Sequence, residues 1–414
     1  MTALDDSAAG LRPRARVVTV ARNDERILDA IIDELAEVGW GHLTVAAVAR
    51  RAGMTHRAVL PRYSDRSQMA VAAWEHRCSS QLEAGLAVTL EVKGDFDALL
   101  SSFRGFDSNS ASMRAGAELL IARQFDAPLA ASIEQTLGRQ LHSWLTTPST
   151  GPKREVERGI SAFLLCNALG LLIVRRLPLA RKASLRQHTR DIVDAIGSPA
   201  IATKLPTDRA EHMDWLAFTQ TPGATTGNAD HDAILDAALV LVGTVGYEAA
   251  TMTKVARMAH VNESVIFAHY RTKLELFMDA TLRQWKAGLP YNDAFAARIA
   301  QKHGAGVAEA TLMREAQRPG RELIRSLALE QIRVAWREPA LAHRFESVIQ
   351  QYAQATRSHS PGLTQRDALS RIVGEFSVSQ GVVLLGQLFP QAWTIGLDPV
   401  FVPMTQITSA APSH

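Results

Sequence analysis

The sequence predicts an all-α protein made of two related helical units in tandem. Three observations carry that expectation: apolar residues recur at helical spacing, an internal repeat sits at half the chain length, and a small polar segment separates the copies. Ile27, Ile31, Leu35 and Val38 form an i, i+4, i+8, i+11 stripe, and Leu235, Leu239 and Val242 follow the same rule. Sustained two-residue alternation, the mark of a half-buried strand, is absent from the sequence.

The repeat sets the plan. Ile27 pairs with Ile234 at an offset of 207. The same offset pairs Val38-Gly39 with Val245-Gly246, Thr44 with Thr251, Val48-Ala49-Arg50 with Val255-Ala256-Arg257, and Tyr63 with Tyr270. A weaker echo pairs Pro128 with Pro339 at an offset of 211. The expected organisation is a basic arm over residues 1–20, a first head over 21–68 and a first regulatory region over 69–216. A linker over 217–229, containing TPGATTGN, leads to a second head over 230–276 and a second regulatory region over 277–414.

Composition narrows the function classes. Apolar content of 47% in 414 residues allows two sizeable cores, and a net charge of +3 means that any basic function is local. Two cysteines, Cys78 and Cys166, cannot staple a chain of this size. Both sit in apolar helical patterns, so buried thiols in a reducing cytoplasm are expected, with a redox pair as the alternative. The polar start MTALDDSAAG is no secretory signal. The apolar stretch 159–174 is shorter than the ~20 residues of a bilayer span and reads as a buried helix. A cytoplasmic protein with no membrane contact is expected.

Within each copy the punctuation is specific. A first helix ends at Gly39 or Gly246, a C-cap position where glycine takes a left-handed conformation at no steric cost. Thr44 and Thr251 are N-cap candidates for a short second helix. A three-residue turn follows, Gly53-Met54-Thr55 or His260-Val261-Asn262. Thr55 and Asn262 then stand as caps of a third helix. Asp65 to Gln68 and Thr272 to Glu275 read as capping boxes that open a fourth. Helix, tight turn and helix make a helix-turn-helix, whose second helix offers its first residues to base edges in the DNA major groove. Residues 44–66 hold five arginines against one acid, and residues 251–273 hold four basic residues against Glu263.

Both copies resemble the TetR-type transcriptional regulators. The second runs ILDAALVLVGTVGY and then TMTKVARMAHVNESVIFAHYRTKLELF, and the first runs ILDAIIDELAEVGW and then TVAAVARRAGMTHRAVLPRYSDRSQM. The likeness covers about fifty residues of each copy, and two copies in one chain resemble the tandem members of that family. The resemblance implies a double-stranded DNA operator as partner. It places phosphate contacts on Thr44, Arg62 and Arg66 in copy one, and on Thr251, His269 and Lys273 in copy two. Base reading falls on Thr55, His56 and Arg57, and on Asn262, Glu263 and Ser264. Lys254 and Arg271 complete the candidate set. It also implies that residues 159–177 and 372–389, which run into the similar endings GLLIVRRLP and GVVLLGQLFP, pair as the dimer helices of relatives do. One chain then forms an intramolecular pseudo-dimer.

There are departures. The family's phosphate-binding Tyr is Leu60 in one copy and Phe267 in the other, Pro61 should stop the first recognition helix, and His260 replaces a turn glycine. Ahead of copy one, Arg12, Arg14 and Arg16 read either as an arm along phosphates or the minor groove, or as a solvated tail.

The regulatory regions show no metal-ligand spacing and no nucleophile–base pair, so no cofactor, metal site or enzymatic role is expected. Trp74, Phe103, Phe125, Trp144, Phe163, Trp336 and Phe376 recur at helical spacing and read as core. With few charges expected inside, an effector would be an apolar, lipid-like small molecule. The expectation is a DNA-binding repressor released by that effector. The competing reading is a ligand-binding or protein-interaction regulator whose heads have degenerated.

Overall fold

The computed structural model describes residues 11–106, 110–146, 152–198, 225–359 and 362–409. Every regular element among the described residues is helical, as the periodicity predicts. The helices fall into two compact units. One comprises Met1–Leu82 with Asn109–Ile133, the other Glu83–Ser108 with Glu134–His414. The division departs from the expected halves, because late helices of the first copy are built into the core of the second unit. A helix with a broad apolar face needs another helix to cover it, and these find theirs in the second copy.

In the first unit, Leu11–Glu37 leads into Val45–Arg51 and His56–Val59, the helix-turn-helix pair, and then Arg66–Ala73. The stripe residues Ile27, Ile31 and Leu35 are fully buried, with Val48, Met69 and Trp74 beside them in the same core. The first helix begins ten residues earlier than the expected arm boundary, so residues 11–20 are helical backbone rather than a separate arm. The side chains of Arg12, Arg14 and Arg16 lie outside the described residues, as do residues 1–10 and most of the linker. A stretch of π-helix, Trp74–Cys78, follows Arg66–Ala73. Its extra residue accounts for the change of register between copies described below.

In the second unit, Ala229–Val245, Met252–Met258, Glu263–His269 and the long Lys273–His303 repeat the first four helices. The most closely packed pair is Pro152–Val174 against Gln365–Leu388, one helix from each copy. Their crossing is reciprocal. A Cβ on Gly170 would lie 1.7 Å from the Ser377 carbonyl oxygen, and a Cβ on Gly381 would lie 1.6 Å from that of Cys166. Gly170 and Gly381 are related by the offset of 211, and so are Cys166 and Ser377. Each glycine therefore meets the residue equivalent to its counterpart's partner, a reciprocal contact between the two helices. The copies are tied at further points. Trp336 Nε1 donates to the Ile173 carbonyl (3.1 Å), Arg176 stacks on Trp336 at 3.7 Å, and the Leu179 N–H donates to Glu346 (2.8 Å).

Pro152–Val174 is longer than the apolar stretch 159–174, since a charged turn precedes it. Among the described residues, two helices are long and apolar enough to cross a membrane, Lys153–Val174 and Gln365–Leu388, and both are mostly buried inside the protein. Cys78 and Cys166 are buried free thiols, and burial pushes the Cys78 thiol up to about 12.

The expectation of few buried charges fails. Glu118, Glu315, Arg321, Arg325, Glu330 and Arg333 are all buried. Several of them satisfy one another over short spacing: Arg321 pairs with Glu315 at 2.9 Å, and Arg333 with Glu330 at 2.7 Å. On a helical projection such pairs look like a solvated face.

Candidate nucleic-acid interface

The two heads share several backbone devices at equivalent positions. Gly39 has φ 88° and Gly246 φ 84°, with ψ near the extended range, a region open only to glycine. The left-handed helical conformation expected here is not the one adopted: φ is positive, but ψ is extended. Thr44 Oγ1 accepts from the Ala47 N–H at 3.1 Å and Thr251 Oγ1 from the Lys254 N–H at 3.3 Å, so both capping expectations hold. A hydroxyl that accepts still has a proton to donate, which leaves each Thr able to meet a phosphate.

Thr55 and Asn262 occupy extended cap positions but make no side-chain cap bond, contrary to expectation. Thr272 and Glu275 form the full capping box. In copy one only half of the box forms: Asp65 accepts from the Gln68 N–H, whereas the Gln68 side chain accepts from the Ser64 N–H, one residue upstream.

In the turn, Gly53 has φ 62° and His260 has φ 58°. His260 is the one non-glycine residue with positive φ among the described residues. For an L side chain this conformation costs about 1 kcal/mol. His260→Gly is therefore expected to stabilise the second unit by about 1 kcal/mol. A denaturant midpoint that stays put or falls would show that the side chain compensates the strain.

Pro61 shortens the first recognition helix, as predicted: it spans His56–Val59, against Glu263–His269 in copy two. The path is nevertheless kept. The Tyr63 N–H bonds the Val59 carbonyl at 3.1 Å just as the Tyr270 N–H bonds that of Ile266 at 2.8 Å. Proline removes one donor from the ladder without redirecting the chain.

The outer faces carry the base-reading candidates. Thr55, His56 and Arg57 are exposed on the first head, and Asn262, Glu263 and Ser264 on the second. The assigned phosphate cations are placed differently. Arg66 lies 3.7 Å over the Trp40 ring and donates to the Gly41 carbonyl, while Lys273 lies 4.1 Å over Tyr247 and donates to the Tyr247 carbonyl at 2.7 Å. Burial holds Lys273 below the usual lysine range, against the pull of Glu248 and Glu330. These two cations lock the fourth helix to the end of the first. Arg62 is also engaged, with Asp24 and with the Ala58 carbonyl (2.9 Å). At the equivalent positions of copy two, His269 stacks on His231 with ring centroids 4.7 Å apart. Lys254 and Arg271 are exposed, and Lys254 Nζ donates to the Ala249 carbonyl at 2.8 Å.

Two further sets of residues position the heads and were not foreseen. Arg77 pairs with Glu25 and lies 3.6 Å from Asp29; Arg283 pairs with Asp232 (3.0 Å) and Asp236. The carboxylates obey the offset of 207 and the arginines an offset of 206, the extra residue in copy one being the one accommodated by its π-helical turn. The other set is a pair of buried glutamates. Glu118 accepts the Trp40 N–H at 2.8 Å, and Glu330 accepts the Tyr247 N–H at 2.6 Å. Each ties the residue after the positive-φ glycine to a helix of the same unit.

Residues 234–280 match the family model described as bacterial regulatory proteins, tetR family. The second head is similar to TetR-type regulators. The matched segment runs through the helix-turn-helix and into the fourth helix, and it supports a DNA-binding transcriptional regulator of that type. No curated protein matches the chain.

Among the described residues, no group of three or more His, Cys, Asp or Glu side chains is arranged to hold a metal ion. A cleft in the second unit is lined by His188, Asp191, Glu309, Arg371 and Glu375, with Phe401 and Met404 as its apolar members. Its lining combines ionisable side chains with apolar surface. Burial, with Glu375 and Asp293 nearby, pushes Glu309 up to about 7.

Proposed function

We propose that the chain is a transcriptional repressor that meets its operator with two unlike helix-turn-helix heads supplied by one polypeptide. What carries this reading is the recurrence, at one constant offset, of cap, positive-φ turn and exposed recognition face. The reciprocal crossing at Gly170 and Gly381 supports an intramolecular pseudo-dimer, in which the paired late helices do the work that a second subunit does elsewhere. An effector held among the regulatory helices would release the DNA by favouring a different head arrangement.

With Arg66 and Lys273 committed inside the heads, the phosphate contacts rest mainly on Thr44, Thr251, Lys254 and Arg271, and on the helical extension with Arg12, Arg14 and Arg16. Arg57 is suited to guanine, whose N7 and O6 accept a forked pair of bonds, and Glu263 to a cytosine amino group. Arg57→Ala is expected to cost about 1–3 kcal/mol of DNA affinity and to relax preference at one position in one half-site. The test is a mobility shift with duplexes enriched from a random pool by the full-length chain. Uniform weakening across all sequences would make Arg57 a phosphate contact instead.

A further inference from the structure

A large apolar side chain stands in water on each head, Leu60 directly after the helix His56–Val59 and Phe267 within Glu263–His269. Leu60 is 43% exposed and Phe267 is 52% exposed, and the two are equivalent under the offset of 207. Neither continues the buried face, which is held by Val59 and Ile266, both fully buried. Leu60 lies three and four residues beyond Arg57 and His56, and Phe267 three and four beyond Ser264 and Glu263. Residues at those separations share one face of a helix, so the apolar side chain stands directly behind the polar base-reading candidates. Exposed cations outnumber exposed acids along each helix-turn-helix, with Arg50 and Arg57 on one head, and Lys254, Arg257 and Arg271 against Glu263 on the other. That setting suits a polyanion and argues against an apolar protein partner.

The major groove has one distinctly apolar feature, the C5-methyl group of thymine. Resting on the reading of both heads as DNA-binding, we propose that Leu60 and Phe267 are specificity-determining residues that read thymine methyl groups, one in each half-site. The hydroxyl-bearing residue that the family pattern places here would hold a phosphate. A bare apolar side chain has no such partner and gains by covering a methyl group. The longer reach and greater exposure of Phe267 make it the stronger reader, which lets the second head contribute specificity although Glu263 is its only charged base-reading candidate.

The experiment uses the full-length chain and the duplex it enriches from a random pool, synthesised once with thymine and once with deoxyuridine at every thymine position. Uracil keeps every hydrogen-bonding group and lacks only the methyl. The wild-type chain is expected to bind the uracil duplex roughly fourfold more weakly for each methyl it covers. Phe267→Ala should bind the thymine duplex more weakly and lose most of the discrimination, and the double variant Leu60→Ala, Phe267→Ala should lose all of it. Both side chains are exposed, and an unchanged circular dichroism spectrum and melting temperature show that the variants fold. Equal binding of the two duplexes by the wild type overturns the proposal. So does full thymine preference in the double variant, which would trace the effect to the duplex itself. A chain that enriches no duplex at all overturns the DNA-binding reading together with this inference, whereas one that enriches a duplex yet ignores its methyl groups overturns this inference alone.

Discussion

Replacing Glu330 with Ala is expected to remove about 3–5 kcal/mol of folding stability from the second unit, the scale for breaking a buried ion pair from one side. Glu330 is fully buried, and both its carboxylate oxygens face Arg333, itself 1% exposed. One of them also accepts the Tyr247 N–H. The substitution would remove a buried carboxylate that holds a buried guanidinium, which also pairs with Glu248, and would take away the acceptor of a backbone donor. Urea denaturation of the full chain measures the loss. A change below about 1 kcal/mol, the scale of an exposed pair, would mean that water reaches Arg333 and that the latch between Tyr247 and the regulatory helix is loose.

The second large effect concerns the helix crossing. Gly381→Ala and Gly170→Ala are each expected to cost about 3 kcal/mol or more, because the added methyl falls on the other helix's backbone. A carbonyl cannot swing aside as a flexible side chain can, so the two helices must part along their length. Gly105→Ala is the control. It lies in the helix Phe96–Phe106 with nothing within 4 Å of its added Cβ, and there the change should be neutral or stabilising by up to about 1 kcal/mol. Melting curves of the three variants decide the matter. If Gly381→Ala melts with the wild type, the two backbones are not in contact.

The features legible in the sequence were those written in short spacings. The positive-φ positions Gly39 and Gly246, the caps Thr44, Thr251 and Thr272, and the turn at His260 depend on residues a few places apart. A constant offset of 207 therefore exposed them together. The paired glycines were visible as the shared ending of residues 170–178 and 381–390, though not as a contact. What escaped depends on partners far apart. Sequence shows the charges of Arg66 and Lys273 but not the aromatic ring of Trp40 or Tyr247 that each lies over. Arg62 and Asp24 are 38 residues apart. Glu118 and Glu330 fall outside the offset of the heads, so the repeat gave no reason to pair them, and a buried carboxylate on a helix resembles a solvated one until its acceptor role is seen. The extent of the first helix was misjudged because arginine-rich chain at a terminus serves equally as tail or as helix.

The central claim is that one chain presents two different heads to DNA, and a titration of three duplexes tests it most directly. One duplex carries the enriched site, and each of the others is a palindrome made by doubling one of its halves. A homodimer of identical heads copies its symmetry into a palindrome, whereas Thr55-His56-Arg57 and Asn262-Glu263-Ser264 present unlike groups to the groove. The expected result is one chain bound per enriched site, with both palindromes weaker at the same stoichiometry. Either palindrome binding one chain as tightly as the enriched site, or two chains being required on the enriched site, would contradict it.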